Sequence, residues 1–264
     1  MSANHEPIRS SAHPLLKRVR AAAAQREGEI LLEGDRLVDE ARRQGLELAA
    51  VLVAEERGER LRELAAAGLP VRAVAAELLA RASALEHSPG CLALAPIPRA
   101  RSLDELAPRG PALVAVAAGV QDPGNLGALA RTAEAAGAAA LLVLAGGCSP
   151  WNPKVLRGSM GSVLRLPVLV LAADAGAADE LARRGFRNVV ARTRDGKPYD
   201  VFDWSGRVAL WLSGETGALP DELARASAGF EGVTIPMAGS VESLNVTVAA
   251  AVLLFAAARA RGDA

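Results

Sequence analysis

The sequence predicts an α/β protein built on a parallel sheet. Short apolar runs alternate with helical segments along most of the 264 residues, and several of the helical segments end at a glycine. The run 112–117 is apolar without interruption, which is typical of a strand buried on both faces of a parallel sheet. Hydrophobic residues make up 51% of the chain, so the core that such a sheet needs is available.

Two domains joined by a linker are predicted. Residues 13–97 begin with a helical pattern and continue as alternating strands and helices, which indicates a small α/β layer structure with a largely parallel sheet. The proline and glycine content of residues 98–111 indicates a linker, and the alternation restarts over residues 112–264. In the first domain the predicted strands are 29–33, 49–53, 70–74 and 91–95, and the predicted helices are 13–25, 36–44, 59–67 and 77–85.

Composition excludes several classes of protein. Thirty basic and thirty acidic residues give a formal net charge of zero, so only local basic clusters favour a nucleic-acid partner. Two cysteines and three histidines, widely spaced, predict neither a disulfide framework nor a metal site. The longest nearly unbroken apolar run, 246–258, is shorter than the roughly 20 residues of a membrane span. The first dozen residues lack the apolar core of a signal peptide, and we therefore expect a soluble cytoplasmic protein.

A polar turn precedes the apolar segment near the carboxyl end. A β-type run stops at Pro236, a Gly/Ser turn follows, and Ser243 or Asn245 is placed to cap a helix. Because this helix is apolar on every side as far as Ala258, we expect it to be buried against its own domain or a second subunit. Its amino terminus either is simply capped or presents free N–H groups to a small molecule.

Two further motifs lie upstream. In the segment 121–137, Asp-Pro-Gly-Asn is turn chemistry, Asn125 is the predicted helix cap, and Arg131 follows six residues later. The Gly-x-Gly-x-x-Gly fingerprint is absent, which disfavours a nicotinamide-dependent or flavin-dependent oxidoreductase. In the segment 208–220 a strand runs into a glycine turn, where a backbone without a Cβ atom can approach a ligand closely.

These three motifs resemble those of the SpoU (TrmH-like) RNA ribose 2′-O-methyltransferases. Residues 233–245 are similar to the third family motif almost letter for letter, and the Asn-x-Gly-x-x-x-Arg pattern from Asn125 to Arg131 is similar to the first. The second departs from the family, since Ser213 and Ala218 stand where glycine is more common.

The resemblance implies a SPOUT-class fold and a specific activity. It implies a C-terminal domain with a parallel sheet and a deep trefoil knot, preceded by a ribosomal-protein-like α/β sandwich that holds RNA. The expected reaction is methyl transfer from S-adenosylmethionine to a ribose 2′-hydroxyl of structured RNA, with large-subunit ribosomal RNA preferred, and without a metal. A homodimer through the catalytic domain is expected to complete the active site.

The resemblance also implies roles for single residues. The motif-one arginine is regarded as essential in the family, so Arg131 is the first catalytic candidate. The supporting catalytic candidates are Asn125, Glu215, Ser243 and Asn245. The candidates for binding S-adenosylmethionine are Ser213, Gly214, Ile235, Met237 and Leu244.

Several alternatives stay open at this point. The chain could be a noncatalytic RNA-binding or ribosome-assembly protein that retains the fold, a transfer-RNA 2′-O-methyltransferase, or a drug-resistance methylase. Basic clusters are candidates for phosphate contacts, although ordinary solvated faces have the same composition. These clusters comprise Lys17, Arg18, Arg20 and Arg26; Lys154, Arg157 and Arg165; and Arg183, Arg184, Arg187, Arg192, Arg194 and Lys197.

Overall fold

The computed structural model describes residues 6–26, 28–98, 102–106, 110–172, 175–214 and 229–262. The chain forms two compact units, one containing residues 1–99 and 151–164, the other residues 100–150 and 165–264. In chain order the elements are α1 (Pro14–Ala23), β1 (Glu29–Glu33), α2 (Asp35–Arg43), β2 (Ala50–Ala54), α3 (Gly58–Ala66), β3 (Val71–Val74), α4 (Ala76–Ala82), β4 (Cys91–Pro96), α5 (Leu103–Leu106), β5 (Ala112–Ala118), α6 (Pro123–Ala135), β6 (Ala140–Leu144), α7 (Pro153–Gly158), α8 (Ser162–Arg165), β7 (Val168–Leu171), α9 (Ala175–Arg183), β8 (Arg187–Arg192), β9 (Lys197–Pro198), β10 (Arg207–Ser213), β11 (Glu231–Thr234) and α10 (Val246–Arg261).

The first unit contains a mixed four-stranded sheet of order β1-β4-β2-β3. Strand β4 runs antiparallel to both β1 and β2, while β2 and β3 are parallel. The expectation of a largely parallel sheet is therefore wrong for this unit. The helical crossovers α2 and α3 keep β1, β2 and β3 in one direction, but a gap is left between β1 and β2. The last strand fills this gap in the opposite direction.

Helices α1 and α4 contribute to the core on one face of this sheet. Leu16 and Val19 of α1 and Leu79 of α4 pack in one buried cluster with Leu52 and Leu94 of the strands. Helix α7 contacts β1 in the same unit, although its sequence lies far downstream. The domain boundaries at residues 97 and 112 stay a prediction.

The second unit is organised around a seven-stranded sheet of order β7-β6-β5-β10-β8-β11-β9, in which all neighbouring strands are parallel. Every residue of β5 is buried, as the uninterrupted apolar run predicts. Trp211 of β10 is fully buried, and its indole N–H donates to Asn188 Oδ1 at 3.0 Å, so the polar atom of this large core residue is satisfied. The prediction of a parallel sheet is confirmed here.

Three further features are the knot, membrane-spanning helices and metal sites. The trefoil knot stays a prediction, and residues 215–228, between β10 and β11, lie outside the described part of the chain. Within the ranges that the structure describes, none of the helices has the length and apolar character that crossing a membrane requires. Over the same ranges, no three or more His, Cys, Asp or Glu side chains come together as a metal site would need.

Candidate active site

A cleft of about 570 Å³ opens at one edge of the parallel sheet in the second unit. Its walls come from residues 191–193 at the end of β8, from 212–214 at the end of β10, and from the segment after β11 together with the start of α10. Strands β10, β8 and β11 are neighbours in the sheet. The cleft therefore lies outside the carboxyl ends of adjacent parallel strands, where open α/β sheets bind ligands.

The structure brings most of the predicted site residues together. All five residues predicted to bind the cofactor line the cleft, namely Ser213, Gly214, Ile235, Met237 and Leu244. Two predicted catalytic residues, Ser243 and Asn245, line it as well. Asn125 and Arg131 are not among the lining residues, and Glu215 lies outside the described residues.

The segment between β11 and α10 offers its backbone to the cleft. Residues 235–244 have neither helical nor strand structure, and within the described part of the chain none of them forms a backbone–backbone hydrogen bond. Backbone N–H and C=O groups need partners, so groups without a backbone partner among the described residues can bind the polar edge of a ligand in the cleft. Apolar side chains of Leu212, Ile235 and Met237 line the same space and suit a flat ring.

Gly214 is required by a backbone contact. A Cβ atom at this position would lie 2.2 Å from the carbonyl oxygen of Gly119, which follows β5. The N–H of Gly214 also donates to the carbonyl oxygen of Ala118 at 3.1 Å. From the sequence, this glycine is expected to allow the close approach of a ligand. The structure instead gives the close approach of the β5 and β10 ends as the steric reason.

Asn245 caps α10 and contacts the first motif. Its Oδ1 accepts from the N–H of Thr247 at 2.8 Å, which confirms the prediction that Ser243 or Asn245 caps this helix and selects Asn245. Its Nδ2 donates to Asn125 Oδ1 at 3.2 Å. The prediction that Asn125 caps α6 is wrong. Because Pro123 occupies the first turn, Asp122 is the cap, and its Oδ1 accepts from the N–H of Asn125 at 2.7 Å.

Arg131 projects from α6 into solvent. It is exposed, and within the described residues it has neither a hydrogen bond nor an ion pair. Helix α6 packs against α10, so Arg131 is carried by the same helix pair that contains the contact between Asn125 and Asn245. Its guanidinium is available for an external anion.

About half of the basic residues proposed for phosphate contacts in the second unit are already paired. Arg165 binds Glu134 through two hydrogen bonds of 2.6 and 2.9 Å, and Arg187 binds Glu231 through two of 2.7 Å. The hydrogen bonds from Arg187 lower the pKa of Glu231 below its ordinary value. Arg183 and Arg184 both pair with Glu180. Within the described chain, Arg192, Arg194 and Lys197 are exposed and have no ion-pair partner.

The end of β8 lines the cleft although no residue there is predicted from the sequence to bind the cofactor. Ala191, Arg192 and Thr193 line the cleft because β8 lies between β10 and β11. That strand order cannot be read from one sequence, since β8 carries no motif and its apolar residues stand among arginines. Glu242 also lines the cleft. It lies within the third motif but is not one of the predicted site residues.

The family of the chain is shown by a match to a family profile. The SpoU rRNA Methylase family profile matches residues 112–255. The chain belongs to the SpoU rRNA methylase family. Residues 16–93 match the MRM3-like substrate binding domain. In this SpoU family member, the cleft and all three motifs lie in the part that the first profile covers.

Similar sequences include enzymes that act on 23S ribosomal RNA. The 23S rRNA (guanosine-2'-O-)-methyltransferase RlmB of Ralstonia nicotianae is 40% identical over 166 residues, which are 61% of this SpoU family chain and 65% of RlmB. The 23S rRNA (guanosine(2553)-2'-O)-methyltransferase RlmP of Bacillus subtilis is 38% identical over 136 residues, which are 52% of this chain and 54% of RlmP. Both matches span less than two thirds of the relative's own length.

Solved structures resemble nearly the whole SpoU family chain. The SpoU methyltransferase AviRb from Streptomyces viridochromogenes, in complex with AdoMet, has a TM-score of 0.82 and 28% identity, and the match covers 96% of this chain and 100% of AviRb. An RNA 2'-O ribose methyltransferase has a TM-score of 0.78 and 34% identity over 96% of this chain and 98% of that one. The α/β fold class predicted from the sequence is confirmed.

Proposed function

We propose that this chain transfers a methyl group from S-adenosylmethionine to the 2′-hydroxyl of a ribose in structured RNA, with large-subunit ribosomal RNA as the substrate. The proposal depends mainly on one observation: residues from two separate motifs line one cleft in a chain of the SpoU family, namely Ser213, Gly214, Ile235, Met237, Ser243, Leu244 and Asn245. The relatives RlmB and RlmP support the choice of 23S ribosomal RNA.

The residues present fit the methyl donor. A volume of about 570 Å³ lies within the range of roughly 300–1,000 Å³ typical of small-molecule sites. Ser213, Gly214, Ile235, Met237 and Leu244 would hold the nucleoside, with backbone groups of 235–244 pairing with its polar edge. When bound, S-adenosylmethionine supplies a methyl group that passes from the sulfonium sulfur to the ribose oxygen, as the C–S bond breaks and a C–O bond forms.

The catalytic residues act mainly by positioning. A neutral hydroxyl is a weak nucleophile, so its proton must be accepted as the new bond forms. A guanidinium does not give up its proton in proteins and cannot serve as that base. Arg131 would therefore clamp a phosphate beside the target ribose through two parallel hydrogen bonds, and a phosphate oxygen or water would take the proton. Asn125, Ser243 and Asn245 would orient the ribose, with Glu215 in support.

The first unit would supply further RNA contacts. Lys17 and Arg26 are exposed and unpaired within the described chain, as are Lys154 and Arg157 of the same unit. In contrast, Arg57 and Arg60 are bound to Asp35, and Arg60 also to Asp39. Unpaired cations are the ones that can replace the counterions of a phosphate backbone. The family description of residues 16–93 as a substrate binding domain supports this role.

A second copy of the chain would cover the exposed side of α10. Val248 is 50% exposed and Phe255 is 44% exposed, and they lie seven residues apart on one side of the helix. Large apolar side chains in such a row mark an interaction surface. We place the dimer interface there. A second subunit is one of the two ways in which the sequence leads us to expect this helix to be buried, the other being its own domain. An enzyme of ribosomal RNA acts where ribosomes assemble, so the proposed location is the cytoplasm.

Methyl incorporation tests the proposal. Total RNA from a strain that lacks the gene should accept labelled methyl groups from S-adenosylmethionine when the purified chain is added. The label should map to a single ribose in 23S RNA. RNA of the parent strain should accept no label, because that ribose is already methylated. Label in transfer RNA would move the proposal to the alternative substrate. A chain that binds 23S RNA without incorporating label would be the noncatalytic RNA-binding protein.

A further inference from the structure

One cation and one anion line the cleft. Among the described lining residues these are Arg192 and Glu242, and they form no ion pair with each other. Both are exposed in the described structure. A cleft with two opposite charges that have no ion-pair partner among the described residues is suited to a ligand that carries both an anionic and a cationic group, because each charged group then finds a partner.

The side chain of Arg192 packs against β11. Arg192 is the last residue of β8 and stands opposite Thr234 of β11 in the parallel ladder. A Cβ atom on the neighbouring Gly232 would lie 3.0 Å from Arg192 Cδ and 3.1 Å from Arg192 Nε. The stem of Arg192 therefore lies across the one position in β11 that has no side chain. This packing orders the stem, while the guanidinium has no ion-pair partner in the part of the chain that the structure describes.

Two other arginines in this region, one at the start of β8 and one just after its end, are placed differently. Arg187, at the start of β8, is bound by Glu231 of β11 on one side and by the backbone oxygens of Asp203 and Ser205 on the other. Arg194 is exposed and unpaired within the described chain but does not line the cleft. Arg192 alone of these three combines a free guanidinium with a place in the cleft wall.

We infer that Arg192 binds the α-carboxylate of the amino-acid end of the methyl donor, and that Glu242 faces its α-ammonium group. The inference rests on the proposed function, which places the nucleoside of that donor in the same cleft. A guanidinium matches a carboxylate with two parallel hydrogen bonds, so the geometry suits this end of the ligand. Gly232 serves the site by leaving room for the arginine stem.

A pair of thioether ligands isolates this interaction. S-adenosylhomocysteine and 5′-methylthioadenosine share the nucleoside and an uncharged sulfur, but only the first has the amino-acid end. Calorimetric titration should show that Arg192→Met weakens the binding of S-adenosylhomocysteine roughly 10- to 100-fold, the range expected for the loss of hydrogen bonds between charged groups. Binding of 5′-methylthioadenosine should not change. Arg192→Lys keeps the charge but cannot form two parallel hydrogen bonds. Its affinity for S-adenosylhomocysteine should therefore lie between those of the unaltered chain and Arg192→Met.

Arg194→Met is the matched control, since it removes another exposed arginine two residues away that does not line the cleft, and it should leave the binding of both ligands unaffected. Equal weakening of both ligands by Arg192→Met, or no weakening of either, would overturn the inference. Thermal melting of each variant establishes that it is folded. If the unaltered chain bound neither ligand, the proposed function itself would be contradicted. Tight binding by the unaltered chain with no effect of Arg192→Met contradicts only the role of Arg192.

Discussion

The amide of Asn245 donates to the side-chain oxygen of Asn125 at 3.2 Å, across 120 residues of sequence. This hydrogen bond connects the third motif to the first. Asn245 also caps α10, while Asn125 lies in the first turn of α6. The two helices pack against each other, so one contact fixes how their amino-terminal ends meet beside the cleft.

Substitutions at these two asparagines should separate catalysis from stability. Asn125→Ala removes the contact but leaves the α6 cap on Asp122 intact, so we expect an unchanged melting temperature and methyl transfer reduced roughly 10-fold or more. Asn245→Ala should reduce methyl transfer similarly and also cost about 1 kcal/mol of unfolding free energy, because the cap is lost. Initial rates and urea unfolding measure the two effects.

Asn245→Ser is the control for the cap. Serine caps helices as well as asparagine does but cannot reach Asn125 as the amide does. This variant should keep the stability of the unaltered chain and lose the activity. Normal activity in Asn245→Ser would contradict a catalytic role for the contact between the two asparagines.

Arg131 should act on RNA rather than on the methyl donor. We expect Arg131→Ala to lower kcat by roughly 100-fold or more, because a charge-assisted bidentate contact is lost in the transition state, while the affinity for S-adenosylhomocysteine stays the same. Arg131→Lys should recover little activity, since an ammonium cannot make the two parallel hydrogen bonds. A pH–rate profile decides the matter. Near-normal activity of Arg131→Lys with only a moved pH optimum would exclude the clamp and favour a proton-transfer role.

Phe255 should hold two copies of the chain together. In light scattering the unaltered protein should have twice the mass of one chain, and Phe255→Glu should shift it to the single mass, because a charge cannot be buried in an apolar interface without a partner. Val201→Glu is the control, as Val201 is 61% exposed but lies outside α10. A Phe255→Glu protein that remains dimeric would place the interface elsewhere.

The pair of Arg187 and Glu231 should make stability depend on pH in the acid range. Hydrogen bonds from Arg187 lower the pKa of Glu231 below its ordinary value of 4.5 and outweigh the opposing effect of partial burial. A carboxylate with a lowered pKa stabilises the folded state above its unfolded pKa, and this stabilisation is lost as pH falls through the folded value. We therefore expect Glu231→Gln to cost about 0.5 kcal/mol at pH 7, a small figure because the side chain is largely solvated.

The cost of Glu231→Gln should shrink as pH falls below 4.5 and should vanish only below the lowered pKa of folded Glu231, where the carboxyl group is neutral in the folded state as well. Urea unfolding at pH 7 and at stepwise lower pH measures it. Asp200→Asn is the matched control, because within the described residues Asp200 has no ion pair and its substitution should have little effect at any pH. A cost for Glu231→Gln that is the same at both ends of the pH range would show that the ion pair is not its source.

The parallel sheet of the second unit could be predicted because its strands β5 and β6 are apolar along their length, whereas β8, β9 and β11 carry charged or polar residues. Asn245 stands where a helix cap is expected. The mixed sheet of the first unit could not be predicted in this way. The alternation of strands and helices is the same whether the last strand is added at an edge or inserted between β1 and β2.

The site was predictable where it depends on local sequence and not where it depends on strand order. The predicted site residues of the cleft lie in motifs that the sequence displays directly, namely Ser213, Gly214, Ile235, Met237, Ser243, Leu244 and Asn245. Arg192 enters the cleft only because β8 lies between β10 and β11. The steric reason for Gly214 depends on Gly119, almost a hundred residues earlier, and no local pattern shows that approach.

We propose that the cleft at the ends of β8, β10 and β11 binds the methyl donor, and a crystal structure of the chain with S-adenosylhomocysteine is the most direct test. The nucleoside should lie between Ser213 and Leu244, in hydrogen-bond contact with backbone groups of residues 235–244. A ligand bound at any other surface, with this cleft empty, would show that the cleft is not the donor site.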